Sequence, residues 1–194
     1  ERGDIDVAKF TSSGYDALAG QANIVRQQGL ICTQYWNEIG ISQYDNATLN
    51  PARYDENVRR AMAMATNKDY IVNTIYNGRG VRGADIMTPI TPQWFFDPTK
   101  VPGVNLTYSI SAANALLDQA GYTGRWVDST GTQYRMAAHD ITFNDTNGIV
   151  RTVPAGTHLE FTMDVRKEFL QEQSTAKYLT AEWARVGIKL DFTS

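Results

Sequence analysis

The residues whose types suit catalysis or metal binding are two histidines, one cysteine and a close pair of acids, and their spacing limits what they can do. His139 is followed by Asp140, and His158 stands two residues before Glu160. An imidazole beside a carboxylate can act as a general base or a ligand, yet neither histidine sits in HExxH or another zinc spacing. Both read as solvated strand positions. Cys32, within "GLICTQYW", has no second cysteine to pair with and no evident histidine to activate it, so it reads as a buried small apolar residue. Asp4 and Asp6 share one face of a short strand; an acid/base pair is conceivable there, but hydrogen-bonded turn partners are the plainer reading. Gly78 and Gly80 form a GxG without the rest of a phosphate loop, and no GxSxG elbow is present. Met62 and Met64 are two residues apart, on different helix faces, which suits packing rather than a metal or redox box. The expectation is a protein that is not an enzyme and carries no cofactor.

Composition narrows the class. The chain has 194 residues, 42% hydrophobic and 20% charged, with a net charge of −3. That is enough to bury a core as one domain, and too little charge for a nucleic-acid binder or a disordered tail. Arg59 and Arg60 lie one turn after Asp55 and Glu56, which reads as i,i+4 pairing on a solvated face rather than a nucleic-acid contact. No apolar run reaches the ~20 residues that span a bilayer. The first residues, "ERGDIDVAKF", lack a signal-peptide pattern. Sequons at Asn46, Asn105 and Asn144 occur at about the frequency chance gives and carry no inference.

The elements follow from period and punctuation. "GDIDVA" (3–8) and "GLICTQYWNEIGIS" (29–42) predict strands, the second long. In "YDENVRRAMAMATNKDYIVNTIYNG", Asp55 is a helix N-cap, and Val58, Ala61, Met62 and Ala65 share one face. Asn67 caps a second helix with Ile71 and Ile75 on one face, closed by Gly78. Residues 79–110 predict a long ordered loop anchored by Trp94, Phe95 and Phe96. "SAANALLDQAGY" predicts a helix capped by Ser111, with Ala113, Leu116, Leu117 and Ala120 inward and Gly121 at its end. Residues 125–163 take strand period, with turns at "DSTGTQY" and "NDTNGIV" and with Leu159, Phe161 and Met163 on one face. A last helix over 167–186 carries Phe169, Ala176, Leu179, Trp183 and Val186 on one stripe, and Gly187 leads into "IKLDF". Alternating strands and helices argue an α/β domain.

Four of these segments, in order, resemble one family. They are "GDIDVA", "YDENVRRAMAMATNKDYIVNTIYNG", "SAANALLDQAGY" and "LTAEWARVGIKLDF". Together they are similar to solute-binding protein family 5 of ABC importers, the peptide- and oligopeptide-binding proteins and their relatives. Asn67-Lys68 stands where the commoner form is Asp-Arg, which keeps cap and charge; the β region 125–158 resembles a subfamily insertion.

The resemblance implies a periplasmic-binding-protein-like (type II) lobe, a mixed sheet flanked by helices. It implies that residues 1–194 are a single domain, most of the second of two lobes that close on a ligand. A strand that ends the chain just after Phe192 fits that expectation of an incomplete lobe. It further implies a peptide or other small solute as ligand, ABC permease membrane subunits as partners, and no nucleic acid. Placement would be periplasmic or extracellular, with a lipoprotein anchor elsewhere in the parent protein. In dipeptide-binding relatives a strand-to-helix loop presents an arginine to the ligand carboxylate; counting back from "AEWARVGI" puts that position at Arg166. A cation at a helix start opposes the dipole, and a guanidinium can take a carboxylate bidentately. A plain surface pairing with Asp164 remains the alternative. Lys167 and Trp94 are weaker candidates, Trp94 reading more readily as a loop anchor packed on the lobe. Other readings are a ligand-sensing lobe of a regulator, a binding protein for a nickel chelate, sugar or opine, and, last, an enzyme using His139 or His158.

Overall fold

A computed structural model describes residues 7–8, 10, 12–27, 37–83, 93–101 and 106–194. In chain order the helices are α1 (Ser12–Ala17), α2 (Glu56–Met64), α3 (Lys68–Tyr70), α4 (Ile110–Gln119) and α5 (Leu170–Ala184). The strands are β1 (Gly124–Val127), β2 (Gln133–Met136), β3 (Ile141–Asn144), β4 (Val150–Val153), β5 (Glu160–Asp164) and β6 (Lys189–Thr193). The chain forms two compact units, Glu1–Asn37 with Asp69–Asp97, and Glu38–Lys68 with Pro98–Ser194. Residues 3–6 of the first predicted strand, Cys32 and Asn105 lie outside the described residues. Of the long predicted strand only 37–42 is described, and it runs without regular structure.

In the first unit, Tyr15 of α1 is flanked by two cations, Arg26 at 4.6 Å and Arg79 at 5.3 Å from the ring centre. Arg79 also pairs with Asp16 at 2.5 Å. Ile71 and Ile75 do not continue an α-helix; Ile71–Ile75 is a wider π turn in which Tyr76 N–H donates to the Ile71 carbonyl at 3.0 Å. Asn77 and Gly78, both at positive φ, close it.

The second unit carries the core. Asp55 caps α2 by accepting from Asn57 N–H at 2.8 Å, and Val58, Ala61, Met62 and Ala65 are all buried, as their spacing requires. α2 packs on α4, whose Ala113 and Leu117 are buried. The cap of α4 is Ser109, not Ser111: its side chain accepts from Ala112 N–H at 3.2 Å, because the helix begins at Ile110, two residues before the start that a Ser111 cap would give. α5 packs on β6 through Ala176, Leu179 and Trp183, joined by Val186, Ile188 and Leu190. Trp183 Nε1 donates to Thr66 Oγ1 at 3.1 Å, so the one polar atom of a buried indole is satisfied.

β5 and β6 are parallel neighbours joined through α5, paired from Glu160↔Lys189 to Asp164↔Thr193. β1·β2 and β3·β4 are antiparallel hairpins, and a bridge from Met136 to His158 ties β2 to the segment entering β5. The two hairpin loops repeat one device. Asp128 and Asp145 each accept from the N–H groups two and four residues on, and Gly131 and Gly148 take positive φ.

Buried Arg135 of β2 locks these layers together. It donates to Asp118 at 2.5 Å, the Tyr122 carbonyl at 2.7 Å, Asn114 Oδ1 at 2.9 Å and the Val186 carbonyl at 3.0 Å. An ion pair, a side-chain amide and two backbone carbonyls satisfy a guanidinium that burial alone would make costly.

Candidate functional site

In parallel α/β units, ligands gather outside the carboxyl ends of the strands, where strand-to-helix loops are free to vary. Here that edge is formed by Asp164 and Thr193, paired in register, with Thr193 Oγ1 donating to Asp164 Oδ1 at 2.7 Å and Val165 N–H donating to the Thr193 carbonyl at 2.9 Å. The loop from β5 to α5 rises from this edge and carries Arg166, Lys167, Glu168 and Phe169.

The loop is held from the helix side. Phe169 is the N-cap of α5 but offers no capping side chain; its carbonyl accepts from Glu172 N–H at 3.0 Å and Gln173 N–H at 3.2 Å. Gln173 Nε2 donates to the Lys167 carbonyl at 2.6 Å. Arg166 donates through Nε to Glu172 Oε2 at 3.0 Å and through Nη2 to Glu172 Oε1, and its guanidinium carbon lies 4.1 Å from the centre of the Phe169 ring. The Arg166 side chain is 62% exposed and that of Glu172 only 18%. Glu172 suits the first turn of a helix, where a carboxylate meets the positive end of the dipole.

The structure therefore places Arg166 and Lys167 together on one exposed loop, and pairs Arg166 with Glu172 rather than Asp164. Trp94 lies in the other unit and is 70% exposed, so it is not a packed anchor of its loop. Phe169 leaves the buried stripe assigned to it: α5 starts at Leu170, and Phe169, 47% exposed, turns to the cation instead. Leu170, exposed beside it, adds apolar surface. Glu172 and the exposed Phe169–Leu170 pair were not singled out from sequence; the acid three residues after the helix cap was the available signal.

A second feature is a shallow cleft of ≈ 340 Å³ lined by Ile39, Ile41, Gln43, Arg59 and Thr146, which shares no residue with the loop. His158 stacks on Trp126, ring centres 4.0 Å apart, and takes its place in the packing around β2. Among the described residues no three histidines, cysteines or acids gather as a metal site, and no helix is long and apolar enough to cross a membrane.

The α/β fold has relatives among known proteins. The model of the family described as bacterial extracellular solute-binding proteins, family 5, middle part, matches residues 1–194; the chain belongs to this family. No curated protein matches it. Among solved structures it is similar to an ABC transporter substrate-binding protein from Sinorhizobium meliloti, at 21% identity and TM-score 0.53, over 77% of this chain and 25% of that one. It is also similar to NikA from Brucella suis in complex with Fe(III)-EDTA, at 20% identity and TM-score 0.51, over 74% and 24%. A third is the oligopeptide-binding protein from Thermus thermophilus complexed with a pentapeptide, at 17% identity and TM-score 0.50, over 74% and 20%. The fold is that of type II periplasmic binding proteins, and the chain spans a quarter or less of the length of these relatives.

Proposed function

We propose that the chain is part of an extracytoplasmic substrate-binding component of an ABC importer, taking peptides by a carboxylate-reading contact at Arg166. The observation that carries this reading is Arg166 itself: an exposed guanidinium, already in bidentate carboxylate geometry, at the carboxyl end of a parallel strand pair. Phe169 and Leu170 beside it offer apolar contact for a side chain next to that carboxylate. Family membership supports a binding role without covalent chemistry, and relatives of the same fold include one seen with a pentapeptide. Ligand binding would favour a closed state of the whole protein, which permease subunits in the membrane then recognise. Placement outside the cytoplasmic membrane follows the family description; anchoring through a lipid-modified residue elsewhere in the protein belongs to the same proposal.

Native mass spectrometry of the full-length protein, gently purified, tests it. A ladder of bound masses separated by amino-acid residue masses is the expected result. A single discrete non-peptide mass, such as a metal chelate, would discard the peptide and with it the role given to Arg166.

A further inference from the structure

We infer that Glu172 is a competing internal ligand that sets how strongly, and for which peptide ends, the β5–α5 loop binds. The inference rests on the peptide reading above. Both Glu172 oxygens sit on one edge of the Arg166 guanidinium, facing Nε and Nη2, which is the edge a ligand carboxylate uses for side-on recognition. A ligand that takes this edge must displace Glu172.

Three features make displacement feasible. The arginine is 62% exposed, and exposed ion pairs of this kind are weak, so the pair lowers ligand affinity by a modest factor without abolishing binding. The guanidinium rests over the Phe169 ring at 4.1 Å, a contact that survives loss of the ion pair and holds the cation in place. The displaced carboxylate also has somewhere to go. With Phe169 as N-cap, Glu172 is the third residue of α5, the position from which a glutamate side chain reaches back to the N-cap N–H; that N–H now donates to the Arg166 carbonyl in a long bond of 3.3 Å, which the stronger carboxylate acceptor would replace. Glu172 thus has two resting places, Arg166 and the α5 N-terminus, and ligand binding selects the second.

An amidated peptide end cannot compete for the arginine, so only ligands with a free carboxylate feel the latch. The test is calorimetry on the full-length protein with trialanine and trialanine amide, using wild type, Glu172→Gln and Glu172→Asp. Expected are a trialanine Kd about two- to five-fold lower in Glu172→Gln and an unchanged Kd for the amide. Glu172→Asp keeps the charge but is one methylene too short for the fork, so it should tighten trialanine as well. If Glu172→Asp matches wild type, long-range charge explains the effect and the latch is overturned. If wild type binds trialanine and Glu172→Gln changes nothing, the latch is overturned while the peptide reading stands. Failure of every variant to bind either tripeptide, with a non-peptide mass in the native spectrum, removes both.

Discussion

The Tyr122 hydroxyl donates a 2.9 Å hydrogen bond to Asp55 Oδ2, while Asp55 Oδ1 caps α2 at Asn57. Both residues are buried, and they join the end of α4 to the start of α2 across 67 positions of chain. Burial, with the Asp55 charge beside it, pushes the Tyr122 hydroxyl above its ordinary value, so it stays a donor. Two of the segments that mark the family meet at this bond. A hydrogen bond to a buried charge contributes about 1.5–3 kcal/mol, and Tyr122→Phe should destabilise the fold by that amount in urea unfolding. Asp55→Asn keeps one oxygen, enough to cap α2 at Asn57 but not also to accept from Tyr122, and should lose less than Asp55→Ala. Equal losses for the two would show that the cap contributes nothing.

Gly187 ends α5 at φ +77°, and a Cβ built there would lie 2.5 Å from Arg135 Cγ and 3.2 Å from the Arg135 backbone nitrogen. Gly131, at φ +85°, has nothing within 4 Å of the same atom. Alanine at Gly131 should therefore incur only the left-handed backbone penalty, about 1–2 kcal/mol. Gly187→Ala adds displacement of the buried Arg135 and should cost several kcal/mol, on the order of 3–5. Matching thermal or urea shifts for the two variants would mean that Arg135 moves aside freely.

What the sequence made legible was the set of helix faces. Val58, Ala61, Met62 and Ala65 are buried because a 3.6-residue period and small side chains leave α2 one packing face. The same period misassigned Phe169: it lies two turns before Ala176, but periodicity does not say where a helix begins, and α5 starts one residue later. Ser109 and Ser111 posed the same question, since either can cap and only the start at Ile110 decides. Trp94 reads as a packed loop anchor by residue type, while its exposure depends on neighbours that no local pattern encodes. Of the candidate site, Arg166 was reachable through the family resemblance alone. Its partner Glu172 was not, because a loop-to-helix pair six residues apart has no fixed spacing rule of the kind that i,i+4 supplies.

Asp118 gives the fold a specific acid sensitivity. Its carboxyl is held below the ordinary range, chiefly by the hydrogen bond from Arg135, against a smaller opposing effect of burial. A depressed folded-state value means the stabilisation is fully present above the unfolded-chain value, about 3.9, and is lost as pH falls through the folded one. Urea unfolding at pH 7 and pH 3 should show a loss on acidification that Asp118→Asn reduces, since asparagine cannot titrate. Parallel losses in wild type and variant would remove Asp118 from the acid response.

Arg53 makes the most demanding prediction, because it is a buried cation held by carbonyls and a phenol rather than by an acid. Its Nη1 donates to the Leu49 and Asn50 carbonyls at 2.8 and 2.9 Å, and its Nη2 to the Tyr44 and Asn46 carbonyls and the Tyr54 hydroxyl at 2.8–3.0 Å. The loop 44–50 is thus wrapped around one guanidinium. Asn50 then fastens the loop to the entry of β5, donating to the His158 and Glu160 carbonyls at 2.7 and 3.0 Å. A lysine has three donors on one atom and cannot reach carbonyls spread over this span, so Arg53→Lys leaves several unpaired in a buried site. Arg53→Lys should cost about 2–4 kcal/mol, nearly as much as Arg53→Met, which removes the charge altogether. Hydrogen exchange should speed up first across 44–50, ahead of α2. Preserved protection of that loop in Arg53→Lys would show that charge alone, without the planar fork, suffices to hold it.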